Sequence, residues 1–356
     1  MIEPNLGRCV LSGEAGLWAA PIRGALSAGE LLYTAAINAR NRRYDLSRNV
    51  RAVPAPVISV GNITVGGTGK TPLAIELVRR LEKMGRNPAV VARGYGADEG
   101  QRSDEELLVR KHCPAVAYVA DADRHRGAEL AMRRMGADAI VLDDAFQHRR
   151  LHRDLDIVLI DAMCPFGYGH VLPRGLLREP LSGLKRAHLL IITRFDQVSR
   201  AELARIEAAI RAHNSHAPLI HSRSKVVSVE HLDGTPVDVD DRKKRVLAFA
   251  AIGRPQAFAS TLSSLGFEIV AKRWWPDHHQ YRCGEIVRLL EDRRLPERDL
   301  VLTTEKDAVK LALLEDIDPR SIGVVRVGVE FQDDGSALID HVLQNVLRVG
   351  RVKAGE

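Results

Sequence analysis

Six consecutive residues, Gly66-Gly67-Thr68-Gly69-Lys70-Thr71, combine the residue types that hold a phosphate chain. Glycines let the backbone turn its N–H groups toward an anion and approach it closely, which a row of Cβ atoms would prevent. With Lys70 and Thr71 at a helix start, the ammonium reaches the β- and γ-phosphates and the hydroxyl ligates Mg²⁺. A second set of groups, Asp143 and Asp144, ends an apolar run. A strand that terminates in an acid is the Walker B arrangement, whose carboxylate holds Mg²⁺ directly or through water. Residues 172–180, Leu-Pro-Arg-Gly-Leu-Leu-Arg-Glu-Pro, are basic and punctuated by glycine and proline. Their arginines offer planar forks of donors that suit a phosphate or a sugar phosphate. His278 and His279 sit in Pro276-Asp277-His278-His279-Gln280-Tyr281. Adjacent histidines diverge on most backbones and no third ligand has suitable spacing, so a base or an orienting group is expected there rather than a metal site.

These groups need elements to position them. Residues 57–60 are a β-branched apolar run approached through Pro54 and Pro56, and predict a buried strand. From Lys70 the apolar positions Leu73, Leu77, Leu81 and Met84 recur at helical spacing, with Pro72 in the first turn and Gly85 as the stop. The loop departs from the strict GxxxxGK[ST] pattern, since Thr64 stands where the first glycine belongs and the extra glycine comes earlier, at Gly61. Residues 88–92 predict a second strand, ending at Arg93-Gly94-Tyr95-Gly96, a candidate site wall because ligands bind at strand ends of open α/β sheets. Further strands are expected at 115–120, 139–142, 155–160 and 189–193, with a helix running through 134. The last strand enters Thr193-Arg194-Phe195-Asp196, reminiscent of the guanine-reading [NT]KxD element, with arginine in place of lysine. Residues 218–240 alternate around Asp233-Gly234, a hairpin signal, and strands at 246–251, 268–272, 300–304 and 323–327 alternate with helices beyond it.

The expected fold is therefore α/β: a P-loop NTPase-like, mostly parallel sheet flanked by helices, with a second, smaller α/β domain and a β-hairpin linker. The implied division is 1–50 as an amphipathic helical segment, 51–217 as the P-loop core, 218–245 as the linker and 246–356 as the smaller domain. Within 21–43, Ile22, Leu26, Leu32, Tyr33, Ala36 and Ile37 share one helical face and Arg23, Ser27, Glu30, Thr34 and Asn38 the other, with Leu31 the exception. Arg40, Arg42 and Arg43 follow, so the segment reads either as a helix packed on the core or as one lying on an anionic membrane surface. The net charge of +6 favours anionic partners. With aromatics at 4% and none interleaved with basic runs, nucleic-acid binding is unsupported. The four cysteines lack CxxC spacing, which argues against a zinc site or a disulfide framework and fits a reducing, cytoplasmic setting. No apolar run approaches the roughly 20 residues that span a bilayer.

Taken together, Gly61-Asn62, Gly66 through Pro72, Arg93-Gly94-Tyr95-Gly96, Asp143 through His148, Leu172-Pro173 with Arg178-Glu179-Pro180, Asp277-His278-His279 and Thr304-Glu305-Lys306-Asp307 resemble the tetraacyldisaccharide 4'-kinase family, the lipid A 4'-kinases. The family's own loop lacks the first glycine. The resemblance implies transfer from ATP, with Mg²⁺, to the 4'-hydroxyl of an acylated glucosamine disaccharide 1-phosphate at the cytoplasmic face of the inner membrane. The enzyme would be peripheral, with no obligate protein partner. It implies Asp104 as catalytic base, partnered by His278, within Arg102-Ser103-Asp104-Glu105-Glu106, where Ser103 and Glu106 replace the family's Gly and Pro. Ala145 replaces a usual glycine. Lys70 would stabilise the transferring group, Glu179 would join Thr71, Asp143 and Asp144 around the metal, and Arg93, Tyr95, Gln147 and Arg178 would face the substrate. Because 104 and 278 fall in different expected domains, domain closure would complete the site. The competing readings are a P-loop GTPase or ATPase switch and a kinase of a small soluble sugar.

Overall fold

The structure, a computed structural model, describes residues 11–12, 16–46, 50–94, 102–237, 245–291 and 300–353. Its helices and strands run α1 (Ala20–Asp45), β1 (Val57–Asn62), α2 (Lys70–Lys83), β2 (Pro88–Ala92), α3 (Asp104–His112), β3 (Ala117–Ala120), α4 (Arg124–Met135), β4 (Ala139–Asp143) and β5 (Leu155–Asp161). They continue with β6 (Leu189–Thr193), α5 (Arg200–Arg211), β7 (Leu219–His231), β8 (Arg245–Ala250), α6 (Pro255–Ser264) and β9 (Glu268–Trp274). The last are α7 (Cys283–Leu290), β10 (Leu300–Thr304), α8 (Glu305–Leu311), β11 (Gly323–Phe331) and α9 (Gly335–Lys353). The chain forms two compact units, one of Met1–Arg93, Val116–Arg223 and Phe331–Glu356, the other of Gly94–Ala115 and Ser224–Glu330.

In the first unit the strand order is β3-β2-β4-β1-β5-β6-β7, and these neighbours pair in parallel. Strands buried on both faces read as continuous apolar runs, as β4 and β6 do up to their last residues, Asp143 and Thr193. Chain order reverses at β1, which lies between β4 and β5, so the crevice at its carboxyl end is the place where such sheets bind ligands. Helix α2 covers the sheet with Leu73, Ala74, Ile75, Leu77, Val78 and Leu81 and stops before Gly85, whose φ of +74° only glycine adopts at little cost. Helix α9 returns to this unit, where Arg80 of α2 bonds the Ser336 carbonyl and Asp340.

The second unit repeats the principle on a smaller scale, in the order β7-β11-β10-β8-β9. Strands β11, β10, β8 and β9 pair in parallel. The reversal falls between β8 and β10, and their carboxyl ends carry the 275–282 segment's neighbours and α8. Sequence and structure part over what joins this unit. Residues 94–115, expected in the P-loop core, belong here, because α3 pairs Lys111 and His112 with Glu305 of α8 at 3.8 and 2.9 Å. Residues 331–356, expected in the smaller domain, belong to the first unit. The hairpin turn at Asp233-Gly234 is present, with Gly234 at φ +85° and Val237 N–H donating to the Val229 carbonyl at 3.0 Å, but the strand before it is the full-length sheet strand β7.

Helix α1 meets the first unit through polar and apolar residues alike. Glu30 accepts from the Val171 N–H at 2.7 Å and contacts His170 at 3.0 Å, while the Tyr33 hydroxyl donates to the Arg178 carbonyl at 3.1 Å. Ile22, Leu31 and Leu32 remain exposed, the leucines at 73% and 76%. The inward side therefore draws on both predicted faces, Tyr33 packing against the core beside the contacts that Glu30 makes to the backbone and imidazole of 170–171.

Candidate active site

Register sets the site of the first unit. Val60 of β1 lies level with Asp143 of β4, so both strands end together and the loop rises beside the two acids. Gly66 and Gly69 take φ of +114° and +90°, and a Cβ built on Gly67 would meet nothing within 4 Å, so the mouth of the loop is open. Gly69 caps α2, placing Lys70 and Thr71 at its start. The Thr71 hydroxyl donates to Asp143 Oδ2 at 3.1 Å, and Lys70 Nζ stands 3.7 Å from Asp144 Oδ1. Thr68 buries a hydroxyl with no hydrogen-bond partner among the described residues. Open amides, one ammonium and an orphaned hydroxyl fit a triphosphate. The all-oxygen set of Thr71, Asp143 and Asp144 fits Mg²⁺, which needs only one or two carboxylates beside phosphate oxygens.

Two departures from the loop pattern now have physical reasons. A Cβ on Gly61 would fall 2.5 Å from Phe146 Cβ and 2.7 Å from its backbone nitrogen, so this glycine admits the turn after β4 rather than a phosphate. Thr64 is buried, bridges Leu177, and accepts from Asn62 Nδ2 through its carbonyl at 2.7 Å. The strand-like pairing of 63–65 with 176–178, completed by Arg178 N–H to the Ile63 carbonyl at 2.7 Å, needs extended backbone rather than glycine. It also delivers Arg178, whose Nη1 bonds Asp144 Oδ1 at 2.8 Å. Burial raises the Asp144 carboxyl, but Lys70 and Arg178 more than offset it and hold the group below the ordinary range. Asp144 itself sits at φ +50°, whereas Ala145 does not take positive φ, so the alanine there is accommodated.

Glu179 departs from expectation. Its Oε2 accepts from Arg186 at 2.7 Å and its Oε1 from Gln147 at 2.9 Å, and it is almost wholly buried. Glu179 thus belongs to a buried ion pair that fixes Gln147, whose Nε2 also donates to the Asn62 carbonyl at 2.8 Å. Arg93 is exposed at the end of β2, and Tyr95 lies outside the described residues.

Two residues gained no role from sequence. Arg194, in the segment resembling a guanine reader, adopts φ +56° and is spent on the loop: Nε donates to Asp161 at 2.8 Å and Nη2 to the Gly67 carbonyl at 2.9 Å. Arg124 is buried at the start of α4, donates to the Asp121 carbonyl at 3.1 Å, and feels the charge of Asp144 and Asp143. An arginine beside a strand-terminal acid pair carries no local signature, because the 20 residues between them form a helix and a strand.

The second unit carries a polar cluster of its own. Ser103 caps α3 by accepting from Glu106 N–H at 3.2 Å, which leaves Asp104 in the first turn and buried. Asp104 Oδ2 lies 3.2 Å from His278 Nδ1, so the two residues share one unit and no closure is needed to join them. Burial raises the Asp104 carboxyl, yet His278, Lys310 and Lys306 bring it below the usual carboxylate value of 3.8. The His278 imidazole is raised above 6.5, chiefly by that same contact. The adjacent histidine turns away: His279 Nε2 meets Glu285 at 3.1 Å and its ring stacks on Trp275. Glu105 instead reaches Lys306 at 3.5 Å.

A parallel α/β unit whose central strand ends in this loop, facing a strand-terminal acid pair, defines a P-loop nucleoside triphosphate-binding protein. The carboxylate–imidazole pair equips it for proton abstraction. The chain belongs to the tetraacyldisaccharide-1-P 4'-kinase family, whose model matches residues 22–347. A tetraacyldisaccharide 4'-kinase of Anaeromyxobacter sp. (strain Fw109-5) is 40% identical over 345 residues, covering 91% of this chain and 90% of that one. Another, of Halothermothrix orenii, is 34% identical over 373 residues, covering 96% and 97%. The crystal structure of an "apo" form of LpxK from Aquifex aeolicus in complex with ATP matches with a TM-score of 0.70 and 28% identity, over 92% of this chain and 99% of that one.

Proposed function

We propose that the protein transfers the γ-phosphoryl group of ATP to the 4'-hydroxyl of a tetraacyldisaccharide 1-phosphate. The observation that carries this beyond nucleotide hydrolysis is the Asp104–His278 contact, a base built for an acceptor hydroxyl. An alcohol is a poor nucleophile at neutral pH, so Asp104 takes its proton as the oxygen–phosphorus bond forms and the bond to the β–γ bridging oxygen breaks, releasing ADP. His278 orients Asp104 and, protonated, keeps it ionised. Lys70 and the amides of 66–70 offset the charge on the phosphates, and Arg178, tethered to Asp144 by 2.8 Å, is placed for a substrate phosphate or sugar. Thr71, Asp143 and Asp144 would hold Mg²⁺, which when bound neutralises the β- and γ-oxygens. Incubation with ATP, Mg²⁺ and tetraacyldisaccharide 1-phosphate should yield a bisphosphorylated lipid. Strict GTP dependence without lipid phosphorylation would sink this reading and restore the switch alternative.

The acceptor is a lipid, and α1 supplies a surface for its membrane. Trp18, Ile22, Leu31 and Leu32 are exposed large apolar side chains, with Arg42 and Arg43 exposed at the far end of the helix. Among the described residues no helix is long and apolar enough to cross a membrane. We infer peripheral attachment at the cytoplasmic face of the inner membrane. Leu31→Glu with Leu32→Glu should weaken sedimentation with anionic vesicles at least tenfold while leaving the melting temperature near wild type; unchanged binding returns the helix to a packing role.

A further inference from the structure

One buried cation in the second unit has no part in the chemistry so far. The Lys310 side chain is 3% exposed. Its ammonium has three proton donors and three oxygen neighbours: Asp307 Oδ1 at 3.0 Å, the His279 carbonyl at 3.1 Å and Asp104 Oδ2 at 3.5 Å. The Tyr281 ring lies beneath it, 5.1 Å from the nitrogen. A lysine is so rarely buried that its partners normally explain why. Asp307 accounts for one positive charge, but it also accepts from Thr304 Oγ1 at 2.7 Å and from Ala251 N–H at 3.1 Å, which anchor it between β8 and β10. Asp307 is therefore a fixed post, and Lys310 is the arm that spans from it to the base.

We propose that Lys310 is a positioning residue for phosphoryl transfer: anchored by Asp307, it holds Asp104 as a carboxylate with Oδ2 turned inward, so that Oδ1 receives the acceptor proton. This rests on the reading of Asp104 as the base. Both contacts of Asp104 among the described residues, His278 and Lys310, fall on the same oxygen, Oδ2. His278 alone would leave the carboxylate one mobile partner that itself titrates; Lys310 supplies a charge that stays through the neutral range. The other charged groups around Asp104 are Lys306 and Asp307 from α8, Asp277 and Tyr281 from the 275–282 segment, and Glu105 and Glu106 on α3. Lys306 is already shared with Glu105 at 3.5 Å and Asp277 at 3.2 Å, which leaves Lys310 as the cation directed at the base.

The test is the pH dependence of kcat for lipid phosphorylation at saturating ATP. Removing a cation 3.5 Å from a carboxylate should raise its titration by about 1–3 units. Lys310→Met is expected to move the acidic limb of kcat up by that amount, so that the rate loss lies on the acid side of the shifted limb and is slight above pH 7. The rate should recover as pH rises, and KM for ATP should change less than threefold. Lys310→Gln, which keeps a donor for Asp307 and the His279 carbonyl, carries the same expectation should the methionine variant fail to melt cooperatively. Asp307→Asn disturbs the same cluster but leaves the ammonium, so its limb should stay or move down. A rate loss uniform in pH, a limb left in place, or an upward shift in Asp307→Asn overturns the proposal. Asp104→Asn, run alongside, separates the two readings: if it keeps the wild-type rate the base assignment falls, and if it abolishes transfer while Lys310→Met leaves the limb unmoved only the role of Lys310 falls.

Discussion

At the scale of single residues, the sites are marked by groups held where they would not rest alone. Asp144, Arg194 and His278 all take positive φ without being glycine, conformations that cost of order 1–3 kcal/mol and persist only where surrounding contacts fix them. For His278 the fixing contact is Asp104, and its sign with pH is definite. Asp104 titrates below 3.8, so its stabilisation is present above that value and is lost as pH falls. His278 titrates above 6.5, so its stabilisation is present below that value and is lost as pH rises through the folded value. The pair is thus worth most between about pH 4 and 6.5. Urea unfolding of wild type and Asp104→Asn across pH 4 to 9 should show a stability difference of about 1–3 kcal/mol in that window, the range for a hydrogen bond to a charged group, shrinking on both sides. A difference that grows above pH 8 would mean that the contact is not between an ionised carboxylate and an imidazolium.

Elements matter here through how closely they approach. The turn after β4 must pass over β1 for Asp143 and Asp144 to stand beside Thr71 and Lys70, and Gly61 is where it passes. Adding one methyl group there forces Phe146 back from contacts of 2.5 and 2.7 Å. Overpacking of a buried site costs about 1–3 kcal/mol, so Gly61→Ala should lower the urea midpoint accordingly and raise KM for ATP as the acids withdraw. Unaltered stability together with unaltered KM would show that the turn has slack. Element positions were largely legible from sequence, because β1, β2, β4, β5 and β6 are rich in β-branched and aliphatic residues and α2 carries its stop at Gly85. Function-bearing contacts were less so. Glu179 reads as a metal ligand until Arg186, seven positions on, is seen to neutralise it at 2.7 Å. Glu30 of α1 faces inward because of donors at His170 and Val171, which no periodicity within the helix reveals.

On the scale of the whole molecule, the P-loop with its acids and the Asp104–His278 pair fall in different units, and chain order conceals this. Residues 94–115 follow the P-loop core directly in sequence, yet α3 is tied by Lys111, His112 and Asp104 to residues near 305–310, charge pairs that span nearly 200 positions and leave no local pattern. The loop, its acids and the dyad were each visible as residues; which of them share a unit was not. That partition carries its own test. Ligand that binds only the folded state stabilises by about 2.7 kcal/mol at a hundred times its dissociation constant. ATP with Mg²⁺ at that excess should raise the melting temperature of wild type and Asp104→Ala alike, because Asp104 lies outside the unit that holds the phosphates. Lys70→Met, which removes the ammonium beside Asp144, should lose most of that rise. Turnover should fall severely in both variants, so the pair separates the donor's binding from the acceptor's activation. If Asp104→Ala lost the ATP-induced rise as fully as Lys70→Met, the base assignment would give way to a nucleotide-binding role for Asp104.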